Sequence, residues 1–442
     1  MDVFDVLKAR GFVKQVVDEA ALRAHFAAGP VTYYCGFDPT APSLHIGSLV
    51  PLMAMAHLAK AGHRPIGVLG GGTSMVGDPS GRTELRQMMT PETIAKNRQG
   101  IDPQVRRFVE LGGPMGTQAG ATSSAASASA TSSAPSATSS APGAAGNNAR
   151  IVDNAEWLLQ LNYIEFLRDI GKHFSVNRML AAEAYKIRLE KGLSFIEFNY
   201  QILQAYDYLV LFQRYGCTLQ IGGDDQWGNI LAGADLIRRL HQKEVHALTF
   251  PLIQTASGAK MGKTAAGAIW MSPELTSVFD FFQYFLNVDD RDVERFLKLY
   301  TFLPLDEVAR LAALTGANIR EAKRVLAFEV TKNVHGEKAA NTADRAARAA
   351  FGGGAEGGAD VPTHALSAGE ADAGMKVVDL LAAAGLAVSK SAARRLVEQG
   401  GVRLGDRKVD SVDAVVGRAD LGAEGVLLHA GKKHLRRIVV RS

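Results

Sequence analysis

Long apolar runs are missing from this sequence. No window of the 442 residues approaches about 18 uninterrupted apolar side chains, which argues against a helical membrane span. Cysteine is scarce: Cys35 and Cys217 cannot build a disulfide scaffold, and they point to a reducing compartment and to buried small side chains rather than ligands. The opening MDVFDVLKAR carries acids early and no apolar stretch, so it does not read as a signal peptide. Charge of one sign is lacking too. Lys+Arg number 49 against Asp+Glu 45, and an overall +4 does not by itself mark a nucleic-acid binder. No repeat of about 20–50 residues recurs. What remains is a cytoplasmic globular protein, long enough for roughly two to four domains of about 150 residues.

The small net charge hides an uneven distribution. Met375 to Ser442 holds 13 Lys/Arg and 7 Asp/Glu, an excess of +6, so the other 374 residues sum to −2. A basic module on a nearly neutral body follows. The 47% hydrophobic content is partly the alanines of Ala119 to Gly146, a stretch of only Ala, Gly, Ser, Thr and Pro with no charge and no side chain larger than threonine. Such a segment buries too little to offset its ordering entropy, and a disordered surface insertion over 119–146 is expected. GGGAEGGAD, Gly352 to Asp360, reads as a flexible tether.

Strand-like and helix-like runs alternate in the first part. VTYYCGF (31–37), RPIGVLGG (64–71) and TLQIGG (218–223) read as strands. Helices are expected from about His45 to Ala61 and near 153–171, 177–190 and 194–214. That alternation predicts an α/β fold with a parallel sheet, its ligands lying beyond the carboxyl ends of the strands, near loops 36–47, 70–82 and 222–229. From about Thr276 to Phe351 helical patterns dominate.

Three groups of residues could carry chemistry. PTAPSLHIGSL (39–49) sets His45, Gly47 and Ser48 at a helix start, where free N–H groups and the helix dipole suit phosphate. SGAKMGKTAAG (257–267) puts Lys260 and Lys263 in a glycine-rich loop that could stabilise charge developing on a polyphosphate. It is not a Walker loop, since the G-x-x-x-x-G-K-[ST] spacing is absent. FNYQILQAYDY (198–208) places Tyr200, Gln204 and Asp207 on one helix face. An inward-facing carboxylate there needs a partner, and a ligand hydroxyl or amine would supply one.

YYCGFDPTAPSLHIGSL, VGDPSG, FLRDIGKHFSVNRML, QAYD, LQIGGDDQWGN and KMGKT stand in an order and spacing that resembles the bacterial tyrosyl-tRNA synthetases, from about Val3 to Val440. The resemblance implies a Rossmann-like parallel-sheet catalytic core over 1–275, an all-helical domain over 276–351, a linker over 352–374 and a small α+β RNA-binding domain over 375–442. Tyr34 and Asp207 would bind the tyrosine phenol beside Gly36; Asp78, Tyr200 and Gln204 its ammonium group; Gln226 its carboxylate. Asp38, Gly47, Gly223 and Asp225 would take the adenosine of ATP. Thr40, His45, Ser48, Arg82, Arg86, Lys260, Lys263 and Thr264 would surround the triphosphate, with Mg²⁺ arriving on ATP and no metal held by the protein. The implied partners are tRNA, tyrosine, ATP and a second copy of the chain, with no membrane.

The implied reaction has two steps. The tyrosine carboxylate attacks the α-phosphate of ATP, giving tyrosyl-adenylate and pyrophosphate, and a ribose hydroxyl of the terminal adenosine of tRNA then accepts the tyrosyl group. The nucleophile is already an anion, so rate comes from positioning and from stabilising the leaving pyrophosphate rather than from an enzyme base.

Two departures stand out. The family's motif ends in histidine, whereas Ser48 holds that place; it can donate a hydrogen bond but cannot carry imidazolium charge. In KMGKT, Gly262 and Thr264 stand where the wider class often has serine. The tail, KVVDLLAAAGLAVSKSAARRLVEQGGVRLGDRKVD, resembles the small RNA-binding fold named after a ribosomal small-subunit protein, and implies a helix presenting Lys390, Arg394 and Arg395 to phosphates, then a turn and a hairpin. Competing readings are a tryptophan-activating relative, a small-molecule nucleotidyltransferase, and an RNA-binding factor with a degenerate core. The basic tail and the Tyr34–Asp207 pair speak against the first two, and the third gains slight weight from Ser48 and little else.

Overall fold

A parallel sheet organises the first part of the chain. The computed structural model describes residues 2–80, 88–110, 149–181, 185–186, 189–190, 192–256, 258, 261–264, 267–351, 361–422, 424–431 and 434–441. The Ala119–Gly146 and Gly352–Asp360 segments, and Arg82, Arg86 and Lys260, lie outside them.

The chain divides into two compact units, one of Met1–Leu7, Val13–Thr40 and Ala54–Phe250, the other of Lys8–Phe12, Ala41–Met53 and Pro251–Ser442. The first unit is built on strands β1 (Gln15–Val16), β2 (Thr32–Phe37), β3 (Arg64–Leu69), β4 (Arg150–Asp153), β5 (Leu219–Gly223) and β6 (His246–Phe250). Their order is β1-β6-β5-β2-β3-β4, parallel except for β1 against β6. The chain runs outward from β2 through β3 to β4, then returns to β5 on the other side of β2. That reversal opens a crevice at the carboxyl ends of β2 and β5. The strands are nearly continuous apolar runs, as in PIGVL of β3, because helices cover both faces of such sheets.

The helix Phe195–Tyr215 is fixed at both ends. Ser194 and Glu197 form a reciprocal cap at its start, and Gly216, at φ 61°, ends it. It packs on the helix Trp227–His241. The continuous helix expected over 153–171 is instead β4, a short helix Ala155–Leu158 and a second helix Tyr163–Asp169. Asn162 breaks the run, since its side chain accepts from the amides of Ile164 and Glu165 and starts the second helix. Of 177–190, the structure gives the helix Val176–Leu180; 182–184 and 187–188 lie outside the described residues.

The second unit holds five α-helices in the expected helical region: Val278–Leu286, Val293–Tyr300, Leu305–Ala312, Ile319–His335 and Glu337–Phe351. Arg10 joins this unit, donating to the carbonyl of Lys298 in the last turn of the second of them and to those of Thr301 and Leu303 just beyond it.

Two expected boundaries shift. Segments 41–53 and 251–275, placed with the sheet by sequence, belong to the second unit because they hydrogen-bond to each other, Ile46 to Ile269 and Met271 to Leu44. The linker expected over 352–374 is partly folded: Thr363–Leu366 pairs in parallel with His434–Val440, and Ser367 with Glu370 caps the helix Ala368–Ala373. Leu366 and Ala371 are buried with Val377, Leu380, Val402 and Ile438 in one core. A four-residue edge strand is too short to stand out by periodicity, so the tail looked as if it began at Met375. Its five-stranded sheet includes the expected hairpin, Val402–Leu404 with Arg407–Lys408.

Candidate functional site

In the first unit, polar side chains gather just past the carboxyl ends of the strands. Tyr34 lies in β2, opposite Ile66 and Gln220, and its ring meets Tyr208 edge-on at 5.3 Å. Its hydroxyl is buried and has no hydrogen-bond partner among the described residues. Burial, then the field of Asp207, pushes the phenol well above its ordinary range, so it stays protonated and acts as a donor. Two residues on, Gly36 is exposed near the carboxyl end of this central strand, and a Cβ there would meet nothing among the described residues within 4 Å. A central strand normally has side chains filling such a position; here glycine leaves a slot.

Asp207 closes one end of the polar layer. The sequence left its partner to a ligand, but the chain supplies two donors, Asn154 Nδ2 at 2.9 Å and Trp157 Nε1 at 2.7 Å. Burial raises its carboxyl to about 7 despite these bonds. The remaining acceptor capacity of the carboxylate is what a phenolic O–H would use.

Asp78 closes the other end. It accepts from the Ser80 amide at 2.9 Å and from Gln226 Nε2 at 2.7 Å. Burial, and further along the field of Asp38, lifts it to about 6. Gln204 Oε1 and Gln226 Oε1 both accept from Asn229 Nδ2, at 3.0 and 3.2 Å. Asp225 is half-buried beside Gln226, and Gly223 ends β5 just before it. Tyr200 donates to Asp38 Oδ2 at 3.1 Å and Thr73 to Asp38 Oδ1 at 2.9 Å, while the Thr40 amide donates to the Asp38 carbonyl at 2.8 Å. Two hydrogen-bonded groups result: Tyr200, Asp38, Thr73, Asn154, Asp207 and Trp157 form one, and Asp78, Ser80, Gln204, Asp225, Gln226 and Asn229 the other.

Asn154, Trp157, Thr73 and Ser80 were missed by sequence reasoning. Asn229 was visible in the block LQIGGDDQWGN, three residues after Gln226 on the same helix turn. Nothing local marks Trp157 as the partner of a carboxylate 50 residues away.

The second unit carries the phosphate-type motif. His45 caps a short 3₁₀ turn, Ile46–Ser48, that runs into the α-helix Leu49–Lys60. The α-helix expected from His45 thus opens with a tighter turn. His45 Nδ1 accepts from the Gly47 amide at 3.0 Å. That bond leaves the ring proton of a neutral imidazole on Nε2, as a donor. Ser48, half-buried, donates its amide to the His45 carbonyl at 2.8 Å.

The KMGKT segment returns over this turn. Ile46 N donates to Ile269 O, and Ile269 N to Gly262 O, both at 3.0 Å. Lys263–Thr264 pairs with Gly267–Ala268 as a small ribbon. Gly262 has φ +88°, and a Cβ on it would fall 3.1 Å from His45 Nδ1 and 3.2 Å from the Gly47 amide. Glycine replaces the class's serine because both the backbone conformation and the space require it.

In the tail, Arg394 and Arg395 are exposed on the helix Lys390–Glu398. Lys390 is exposed as well, but pairs with Asp379 at 2.7 Å.

Residues 27–352 match the family described as tRNA synthetases class I (W and Y), and residues 355–438 match the tyrosine–tRNA ligase SYY-like C-terminal domain. A tyrosine–tRNA ligase of Clostridium botulinum is 47% identical over 440 residues, covering 100% of both chains. One from Caldanaerobacter subterraneus is 46% identical over 441 residues, again 100% of each. The C-terminally truncated mitochondrial tyrosyl-tRNA synthetase of Aspergillus nidulans superposes with a TM-score of 0.65 at 29% identity, covering 79% of this chain and 94% of that one. With the first match covering residues 27–352 and the second 355–438, the chain belongs to the class I tRNA synthetases, among the bacterial tyrosyl-tRNA synthetases.

Proposed function

We infer that the chain joins tyrosine to tRNA by way of tyrosyl-adenylate, using ATP. The observation that carries this reading is the pairing, around an open slot at Gly36, of a buried donor without a partner, Tyr34 Oη, and a buried acceptor, Asp207. A phenol presents both an oxygen to accept and a hydrogen to donate, and fits both. Phenylalanine would leave the Tyr34 hydroxyl unmet and offer Asp207 no donor. An indole has no hydroxyl to offer Tyr34, which disfavours the tryptophan reading.

Asp78 takes the ammonium group, with Tyr200 and Gln204 shaping the layer around it, and Gln226 lies beside the carboxylate. Asp38, Gly47, Gly223 and Asp225 take the adenosine half of ATP; Mg²⁺ enters on its phosphates as part of that substrate. In the first step a tyrosine carboxylate oxygen forms a bond to the α-phosphorus, and the bond from that phosphorus to the bridging oxygen breaks, releasing pyrophosphate. His45 Nε2–H is the donor fixed by the fold for this charge, joined by Thr40, Ser48, Arg82, Arg86, Lys260, Lys263 and Thr264. In the second step the tRNA ribose hydroxyl displaces AMP from the carbonyl.

Lys390, Arg394 and Arg395 contact tRNA phosphates. A cytoplasmic location accords with the reduced Cys35 and Cys217, both buried and unpaired. Homodimerisation is supported by large apolar side chains exposed within one stretch: Tyr163, Ile164, Val176 and Phe195, with Ile164 and Phe195 each 69% exposed. A second copy presenting the same surface would cover them; light scattering gives the mass, and a monomer at working concentration would contradict this. Tyrosine-dependent ATP–pyrophosphate exchange, run with all twenty amino acids, tests the central reading. Exchange with tryptophan alone, or none at all, would overturn it.

A further inference from the structure

The cations of the C-terminal module are mostly tied down within it and at its surface. Lys376 pairs with Asp413, Arg407 with Asp420, Lys408 with Asp410 and Arg418 with Asp372, all with both or most of their side chains well exposed. Arg436 differs. It sits on the strand His434–Val440 and reaches out of the module to Asp280, the third residue of the helix Val278–Leu286. The contact is a two-pronged fork, Nη1 to Oδ1 at 3.0 Å and Nη2 to Oδ2 at 2.5 Å. Its side chains are only 15% and 22% exposed, which makes it the most shielded ion pair among the described residues.

Both partners are held in place by their own elements. Asp280 accepts from Ser277 Oγ at 2.6 Å while its amide donates to the same oxygen at 3.1 Å, and its charge lies in the first turn of the helix, where the dipole favours it. Arg436 Nη1 also donates to the Leu435 carbonyl at 2.9 Å. On the neighbouring strand, His364 feels the Arg436 charge; burial first and that charge last lower it, while Glu370 opposes them. A preorganised fork between shielded groups is strong and directional, unlike exposed single-point pairs.

We propose that Arg436 and Asp280 are positioning residues for the RNA-dependent half of the reaction, fixing the C-terminal module to the helix Val278–Leu286 so that its Lys390–Arg395 face is presented at a set bearing. This rests on the reading that the module binds tRNA. Neither residue touches substrate. The pair acts by holding the module in one orientation, which raises the effective concentration of its cations at the bound RNA.

The test uses the full chain with Asp280→Asn, Arg436→Gln and the double substitution. Asp280→Asn keeps an oxygen for Ser277 and removes the charge. Each single change is expected to raise the KM for tRNA in charging by roughly tenfold, with tyrosine-dependent pyrophosphate exchange unchanged within about twofold. The double variant should be no worse than either single one, and Arg436→Lys should recover only part of the loss. Small-angle scattering should show a larger radius of gyration for each single variant. Unchanged tRNA KM in both single variants would overturn the proposal. Tighter tRNA binding in Asp280→Asn with weaker binding in Arg436→Gln would also overturn it, by showing that Arg436 itself contacts RNA and that Asp280 masks it. Arg394→Gln with Arg395→Gln separates the underlying reading: if that variant charges tRNA normally, the module's role in RNA binding falls and the proposal with it. If it fails to charge while the Asp280 and Arg436 variants behave as wild type, only the positioning role falls.

Discussion

The polar layer of the first unit and the His45–Gly262 turn of the second solve opposite problems. Around Asp78 and Asp207 the fold buries carboxylates, raises both, and surrounds them with fixed donors from Asn154, Trp157, Gln226 and Ser80. Around His45 it removes side chains: Gly47 and Gly262 bring backbone against imidazole. Selectivity for a neutral hydroxyl requires desolvated, prearranged partners, since a wrong ligand then leaves them unmet. Stabilising a highly charged leaving group requires donors and cations that approach it closely. Burial serves the first, and small residues serve the second.

The most severe way to break this contrast is Asp207→Ala. It removes the phenol acceptor and leaves Asn154 and Trp157 without theirs, so kcat/KM for tyrosine should fall roughly 10²–10³-fold, with a smaller change for phenylalanine. Steady-state exchange with both amino acids measures it; equal losses for the two would remove Asp207 from phenol recognition.

Lys263→Ala probes the other side. The exchange rate should drop by about 10² while the tyrosine KM stays near its wild-type value, because the charge it meets develops only in the transition state. A rise in KM with no change in rate would place Lys263 in ground-state binding.

Gly36→Ala sharpens the comparison by separating stability from function. With open space around the new methyl, Tm should hold or rise slightly, yet the tyrosine KM should rise roughly tenfold as the slot narrows. A large fall in Tm with unchanged KM would mean that Gly36 serves the strand and not the ligand.

The pH profile follows from the raised carboxyls. On the proposed reading the ammonium group is bound by Asp78 as a carboxylate, and burial lifts its folded-state value to about 6, so the protonated, non-binding form accumulates below that pH. The tyrosine KM should be flat at alkaline pH, rise about tenfold per unit below about 7 as Asp207 takes up a proton, and steepen to about a hundredfold per unit below about 6 as Asp78 does. Titrating KM from pH 8 to pH 5 checks the sign; a KM that falls on acidification contradicts it.

Ser48→His should have the smallest effect, a change in exchange rate within a few-fold and in the favourable direction, because Ser48 is half-buried at the end of the 3₁₀ turn with its amide already bound to His45. Collapse of exchange would show that the turn is built around serine.

Much of this was legible before any coordinates. The strands β2, β3 and β5 were visible as apolar runs, and their alternation with helices required a parallel sheet with its crevice at the carboxyl ends. Tyr200, Gln204 and Asp207 shared a face because the spacing of a helix dictates it. The break at Asn162, the 3₁₀ turn after His45 and the edge strand Thr363–Leu366 were not, since the first two depend on one or two hydrogen bonds and the third is too short to show a repeating pattern.

By itself, the sequence determined the order of elements, the chemical types in the site and the charge of the tail, because these are properties of local spacing and composition. Tertiary structure alone decided which groups meet. Trp157 and Asn154 reach Asp207 because β4 carries them to the crevice, Gly262 must be glycine because His45 and Gly47 crowd it, and Arg436 finds Asp280 across 156 residues of chain. A local pattern fixes the direction in which a side chain points along its own helix or strand. Only packing fixes what stands opposite, because the partner comes from another part of the chain.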